Sequence, residues 1–131
     1  MLRLIEVCGD SMKPTLKDGE FCIIDTSKTA IKDIRIGNVI VFRLKSCQRN
    51  WQHNEEYAVK RVSGIKKIAN HKQETQLWVL GDNAINSYDS RKYGYISSKQ
   101  VIGIVTDNTH QYSKIKATKY LFAKLYAERT N

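Results

Sequence analysis

A chain of 131 residues with 41% apolar composition is long enough for one domain with a core of its own, without a metal or disulfides to staple it. Its net charge of +9, from 22 Lys and Arg against 13 Asp and Glu, is scattered rather than gathered into a run, which argues for a solvated surface and against a nucleic-acid partner. No stretch approaches the ~20 apolar residues of a membrane span, no secretory-signal pattern opens the chain, and Cys8, Cys22 and Cys47 lack the spacing of a zinc site or a disulfide framework. Reduced thiols, no metal, and a cytoplasmic or peripherally membrane-associated chain are the expectation.

Six short runs bounded by Gly, Asp, Asn or Lys clusters read as strands: Leu2 to Val7, Glu20 to Asp25, Asn38 to Leu44, Tyr57 to Ser63, Gln76 to Leu80, and Val101 to Thr106. The fold expected is mainly β, a single domain of antiparallel sheets with its core over residues 2–106. Breaks fall at Lys17-Asp18-Gly19, Ile36-Gly37-Asn38, Gly81-Asp82-Asn83 and Tyr93-Gly94-Tyr95. Lys45 to Glu56, with Trp51 inside it, reads as a polar loop. Lys66 to Thr75 reads as a hairpin connection with Ile65 and Ile68 leaning inward.

The pattern turns helical from Ser113 to Glu128, where Ile115, Leu121, Phe122, Leu125 and Tyr126 alternate with Lys114, Lys116, Lys119, Lys124 and Arg129. This basic amphipathic C-terminal helix is expected either to dock on the sheet or to make peripheral contact with an anionic membrane. The histidines, His53, His71 and His110, stand in polar stretches with no ligand-pair spacing and read as loop residues.

Three clusters carry candidate chemistry. The first strand ends at Gly9, and Ser11 follows with Pro14 three residues on, so a tight turn can expose both the Ser11 hydroxyl and its backbone N–H. Those are the two groups that a serine nucleophile needs, although an ordinary surface turn uses the same residues. In Tyr57-Ala58-Val59-Lys60-Arg61-Val62, alternation places Lys60 on the face of Ala58 and Val62, with Arg61 facing the other way. Burial there lowers a lysine's pKa, and bringing the amine to a useful base near neutrality takes roughly 4 kcal/mol. Cys8 sits in the apolar strand and reads as packing. The third cluster, Gly81 to Gly94, gathers Ser87, Asp89, Ser90 and Arg91 directly after an apolar strand, with Asp89 and Arg91 as a candidate ion pair.

Taken together, the clusters resemble the type I signal peptidases, serine endopeptidases that use a Ser/Lys dyad. The nucleophile motif Gly-x-Ser-Met-x-Pro-Thr-Leu stands as Gly9-Asp10-Ser11-Met12-Lys13-Pro14-Thr15-Leu16, and the base motif stands as Val59-Lys60-Arg61-Val62-Ser63-Gly64. A Gly-Asp-Asn to Ser-x-Asp-Ser-Arg motif runs from Gly81 to Gly94, and a later apolar-Gly-apolar strand stands at Val101-Ile102-Gly103-Ile104-Val105.

The resemblance implies a signal-peptidase-like fold and an enzyme with no cofactor, with Ser11 as nucleophile and Lys60 as general base. It implies oxyanion donors from the backbone of Ser11 and Gly9, orientation of the lysine by Ser87, support from Asp89 with Arg91, and Met12 beside the substrate pocket. The substrate implied is a signal or leader peptide, or another dedicated protein, with small residues before the cut. The sequence departs from the family pattern at Ile65-Lys66-Lys67, where Pro-Gly-Asp is common, and at Ala84, where arginine is frequent. With ten residues before Ser11, the family's usual N-terminal membrane anchor is not expected. The competing expectation is a non-catalytic basic module that binds peptides or an anionic surface.

Overall fold

The computed structural model describes residues 1–44, 56–69 and 74–107. The expected 113–128 helix, the 45–55 part of the polar loop with Cys47, Trp51 and His53, and also His71 and His110, lie outside the described residues.

The fold is mainly β. Among the described residues, seven strands form one antiparallel sheet: β1 (Leu2–Glu6), β2 (Phe21–Asp25), β3 (Val39–Leu44), β4 (Glu56–Lys67), β5 (Thr75–Leu80), β6 (Ile96–Ser97) and β7 (Val101–Asp107). Their order across the sheet is β1-β2-β7-β3-β4-β5-β6, with every pairing antiparallel. Among the described residues, two short α-helices, α1 (Lys28–Lys32) and α2 (Ser90–Tyr93), and two 3-10 turns, Ala84–Asn86 and Ser98–Gln100, accompany it. No helix among the described residues is long and apolar enough to cross a membrane.

The core lies on both faces of the sheet, and β3 shows why. Val39-Ile40-Val41-Phe42 is buried throughout, and successive side chains of a strand point to opposite faces. Val39 and Val41 join Ile5, Cys22, Ile24 and Val59 in one cluster, whereas Ile40 and Phe42 join Ala58, Val62, Leu77 and Val79 in another. A run of four β-branched or aromatic residues suits a strand covered on both sides. Gly103 on β7 fits the close approach to β2, since a Cβ there would lie 2.9 Å from Ile24 Cδ1 and 3.0 Å from the Asp25 carbonyl oxygen.

The six expected strands are present, and the departures are local. Strand β4 continues through Lys66 and Lys67, which pair with Gln76 and Thr75, so the hairpin connection is shorter than expected. Ile65 is exposed rather than turned inward. Its partner Leu77 is buried between β4 and β6, but pairing of β3 with β4 stops at Arg61, leaving Ile65 with a neighbouring strand on one side only. Helix α1 was not anticipated. Its five residues are too few to show a period, and it is started by Ser27, whose side chain accepts from the Ala30 N–H.

Candidate active site

Past the end of β1, the Val7 N–H still donates to the Glu20 carbonyl, and the Val7 carbonyl still accepts from Gly19. The chain then reverses at Gly9, whose φ of 91° lies in the left-handed region that glycine tolerates. Met12 and Leu16, each 1% exposed, anchor the following turn in the core, and the Leu16 N–H donates to the Met12 carbonyl. Ser11 is held between these fixed points. Its own N–H has no acceptor among the described residues. The Gly9 N–H, expected as a second oxyanion donor, instead donates to Asp18 Oδ1 at 2.7 Å. That amide is thus engaged by a carboxylate in this structure.

Lys60 occupies the middle of β4, between Ala58 and Val62 along the strand and opposite Ile40 on β3. All three neighbours are buried, and Lys60 itself is 6% exposed. Burial pushes the Lys60 ammonium below the ordinary lysine pKa, and the Asp89 carboxylate pushes it part of the way back up. The Lys60 Nζ and Ser11 Oγ atoms stand 2.9 Å apart, joined by a hydrogen bond across 49 residues of sequence. A desolvated amine in contact with a hydroxyl is an arrangement able to accept that hydroxyl's proton once the amine is neutral.

The loop after β5 straps this pair in place. The Asn83 N–H donates to the Ser11 carbonyl at 2.8 Å, and its side-chain amide donates to the Asp10 carbonyl at 3.1 Å. The Asp82 N–H points at Met12 Sδ, 3.4 Å away. The Asp82 carboxylate then takes two parallel bonds from Arg61, 2.8 Å from Nε and 2.7 Å from Nη2, and accepts a further bond from the Thr15 hydroxyl. One aspartate therefore links the serine's turn to the lysine's strand.

Asp89, fully buried, organises the rest of the loop. It accepts from the Gly81 N–H at 2.9 Å, the Ser87 hydroxyl at 2.8 Å, and Arg91 through Nε at 2.9 Å and Nη2 at 2.7 Å. Burial by itself raises its pKa, but these bonds outweigh it and hold the carboxyl well below the usual range. The Ser87 hydroxyl thus donates to Asp89, and no hydrogen bond from Ser87 to Lys60 is present among the described residues. Ser87 nevertheless sits against the site, because a Cβ on Gly81 would collide with Ser87 Oγ and stand 2.6 Å from the Ser11 carbonyl oxygen.

The amino-acid sequence of the chain matches known proteins. The family model described as "Signal peptidase, peptidase S26" matches residues 1–67 and 65–107, which is most of the chain. The chain belongs to the signal peptidase S26 family. Among its relatives, "Signal peptidase I V" of Bacillus subtilis (strain 168) is 34% identical over 64 residues, covering 49% of this chain and 36% of that protein. "Signal peptidase I" of Bacillus caldolyticus is 27% identical, covering 74% of this chain and 73% of that protein. The match to the first relative thus spans little more than a third of its length.

In this S26 chain, the paired groups open on a cleft of about 140 Å³ whose lining includes Ser11, Lys60, Met12, Val7, Ala58 and Tyr88. Met12 borders the cleft while also being part of the core. Cys8 borders it too, and so enters the site's surroundings rather than simply packing in the strand. No group of three or more His, Cys, Asp or Glu among the described residues is placed to hold a metal ion.

The sequence reading missed the strap. Gly81-Asp82-Asn83 reads as a plain turn, and Arg61 as a residue merely facing away from Lys60. The available signal was an acid directly after an apolar strand and an arginine directly after the lysine. Nothing in their spacing of 21 residues shows that they meet.

Proposed function

We propose that this chain is a serine endopeptidase in which Ser11 is the nucleophile and Lys60 the general base, cleaving signal or leader peptides after small residues. The observation that carries the reading is the 2.9 Å contact between a buried lysine amine and the hydroxyl of a turn serine.

The substrate lies extended beside the segment that precedes Ser11, adding its backbone to the strand edge there. Its side chains before the cut enter the cleft of about 140 Å³ lined by Val7, Met12, Ala58 and Tyr88 beside the dyad. Neutral Lys60 accepts the Ser11 proton as Oγ bonds to the scissile carbonyl carbon, and the carbonyl oxygen becomes an oxyanion facing the free Ser11 N–H. Collapse of this intermediate breaks the C–N bond, and Lys60 returns the proton to the departing amine. An ester on Ser11 remains. Water then attacks the ester, giving a proton to Lys60, and Ser11 leaves with that proton as the carboxyl product is released.

Asp89 with Arg91 supports the loop that faces the dyad, and Ser87 acts through Asp89. Because only the neutral amine is a base, activity rises with pH through the lowered Lys60 pKa. Hydrolysis of peptides carrying Ala-x-Ala before the cut, followed against pH, tests the reading. The expected result is an alkaline optimum and loss of activity in both Ser11→Ala and Lys60→Ala. Activity that survives either substitution overturns it and returns the chain to the status of a binding module.

A further inference from the structure

A second concavity, of about 610 Å³, shares no lining residue with the Ser11–Lys60 cleft. It is lined by Lys28, Ile31 and Lys32 of α1 together with Lys99, Val101, Thr75 and Ser98. Lys28 and Lys32 stand four residues apart on the helix and so share a side. Neither has a carboxylate partner among the described residues, whereas Lys99 is 3.3 Å from Glu74. Among the described residues, no acidic one lines the concavity. It therefore presents, among the described residues, two ammonium groups without a carboxylate partner beside the apolar side chains of Ile31 and Val101.

We propose that this concavity is an exosite for an acidic segment of the protein substrate, seating carboxylates against Lys28 and Lys32 and an apolar side chain on Ile31 and Val101. The inference rests on the peptidase reading for the identity of the partner, but the binding itself does not depend on catalysis. A peptide fits the shape better than a membrane does. A bilayer presents a broad surface to protruding groups, whereas Val101, which lines the concavity, is only 7% exposed and so is met by a side chain entering it. Short peptides that span only the cut leave the exosite empty. Protein substrates with an acidic stretch engage it and gain in KM rather than kcat.

The test uses the full chain carrying Ser11→Ala and a fluorescein-labelled peptide of alternating glutamate and leucine, read by fluorescence anisotropy. The exosite predicts saturable binding that weakens with added salt, falls about tenfold in Lys28→Glu/Lys32→Glu, and persists in Lys28→Arg/Lys32→Arg. In the chain with Ser11 intact, the charge reversal leaves cleavage of a short Ala-x-Ala peptide unchanged. Equal binding by the charge-reversed chain overturns the proposal, as does binding to phosphatidylglycerol vesicles with none to the peptide. Failure of all peptide cleavage with peptide binding retained sinks the peptidase reading and leaves the exosite standing.

Discussion

Arg61 and Asp82 meet in two parallel hydrogen bonds of 2.8 and 2.7 Å, one residue along the strand from the Lys60 amine. Asp82 also accepts from Thr15, so this contact ties the turn that carries Ser11 to the strand that carries Lys60. The fork geometry of arginine is what allows one carboxylate to be gripped at both oxygens.

Substituting Asp82→Asn keeps the volume but removes the charge and one acceptor oxygen. Arg61 then loses its paired grip, and the Ser11 turn is free to shift relative to Lys60. The expected outcome is about 1–2 kcal/mol of lost stability by urea unfolding and a larger loss in kcat, about 10-fold or more, since small misplacements of reacting groups are costly. Arg61→Lys gives a similar loss, because a point charge does not reproduce the fork.

Gly81→Ala is expected to damage the site from a position that takes no part in the chemistry. The added methyl meets Ser87 Oγ and the Ser11 carbonyl oxygen, and it has no flexible neighbour to displace cheaply. Overpacking of this kind costs about 1–3 kcal/mol. Hydrolysis and thermal unfolding measured together should both fall, whereas Gly19→Ala, whose Cβ meets nothing within 4 Å but whose φ of 85° is strained, should lower stability alone.

Lys60 sets the stability and the activity of the fold against each other. Its folded pKa lies below the ordinary lysine value, so between the two the unfolded chain binds more protons than the folded one. Stability should therefore rise with pH across that window. Lys60→Met, which fills the same space without a charge, should unfold at higher urea concentration near neutral pH by about 1 kcal/mol, lose the alkaline rise, and have no peptidase activity.

Asp89 gives the opposite limb. Its folded pKa is depressed, so its contribution is fully present above the ordinary carboxylate range and is lost as pH falls through the lowered value. Asp89→Asn should be less stable at neutral pH by about 2–4 kcal/mol, because Arg91, Ser87 and the Gly81 amide lose a charged acceptor. Acid titration of unfolding by circular dichroism should then show a shallower decline in the variant than in the parent chain.

Much of this architecture was legible in the residues, and the reasons differ by element. Strands such as Val39–Leu44 announce themselves because a short run of β-branched and aromatic side chains is a local property, and Lys60 could be assigned a buried face from its neighbours Ala58 and Val62 alone. The site was only half legible. That Gly9 gives its N–H to Asp18, that Ser87 donates to Asp89, and that Asp82 grips Arg61 depend on which loops pack together, and no periodicity carries that information. Ile65 shows the same limit, since its exposure follows from where β3 stops pairing with β4.

The contact between Ser11 and Lys60 is tested most directly by the mass of a serine-directed acylating probe bound to the chain, mapped by peptide digestion and followed as a function of pH. The account predicts a single adduct on Ser11, formed faster as pH rises through the lowered Lys60 pKa, and slowed about 10²–10⁴-fold in Lys60→Ala. An adduct formed at the same rate without the lysine, or attached to another residue, would contradict it.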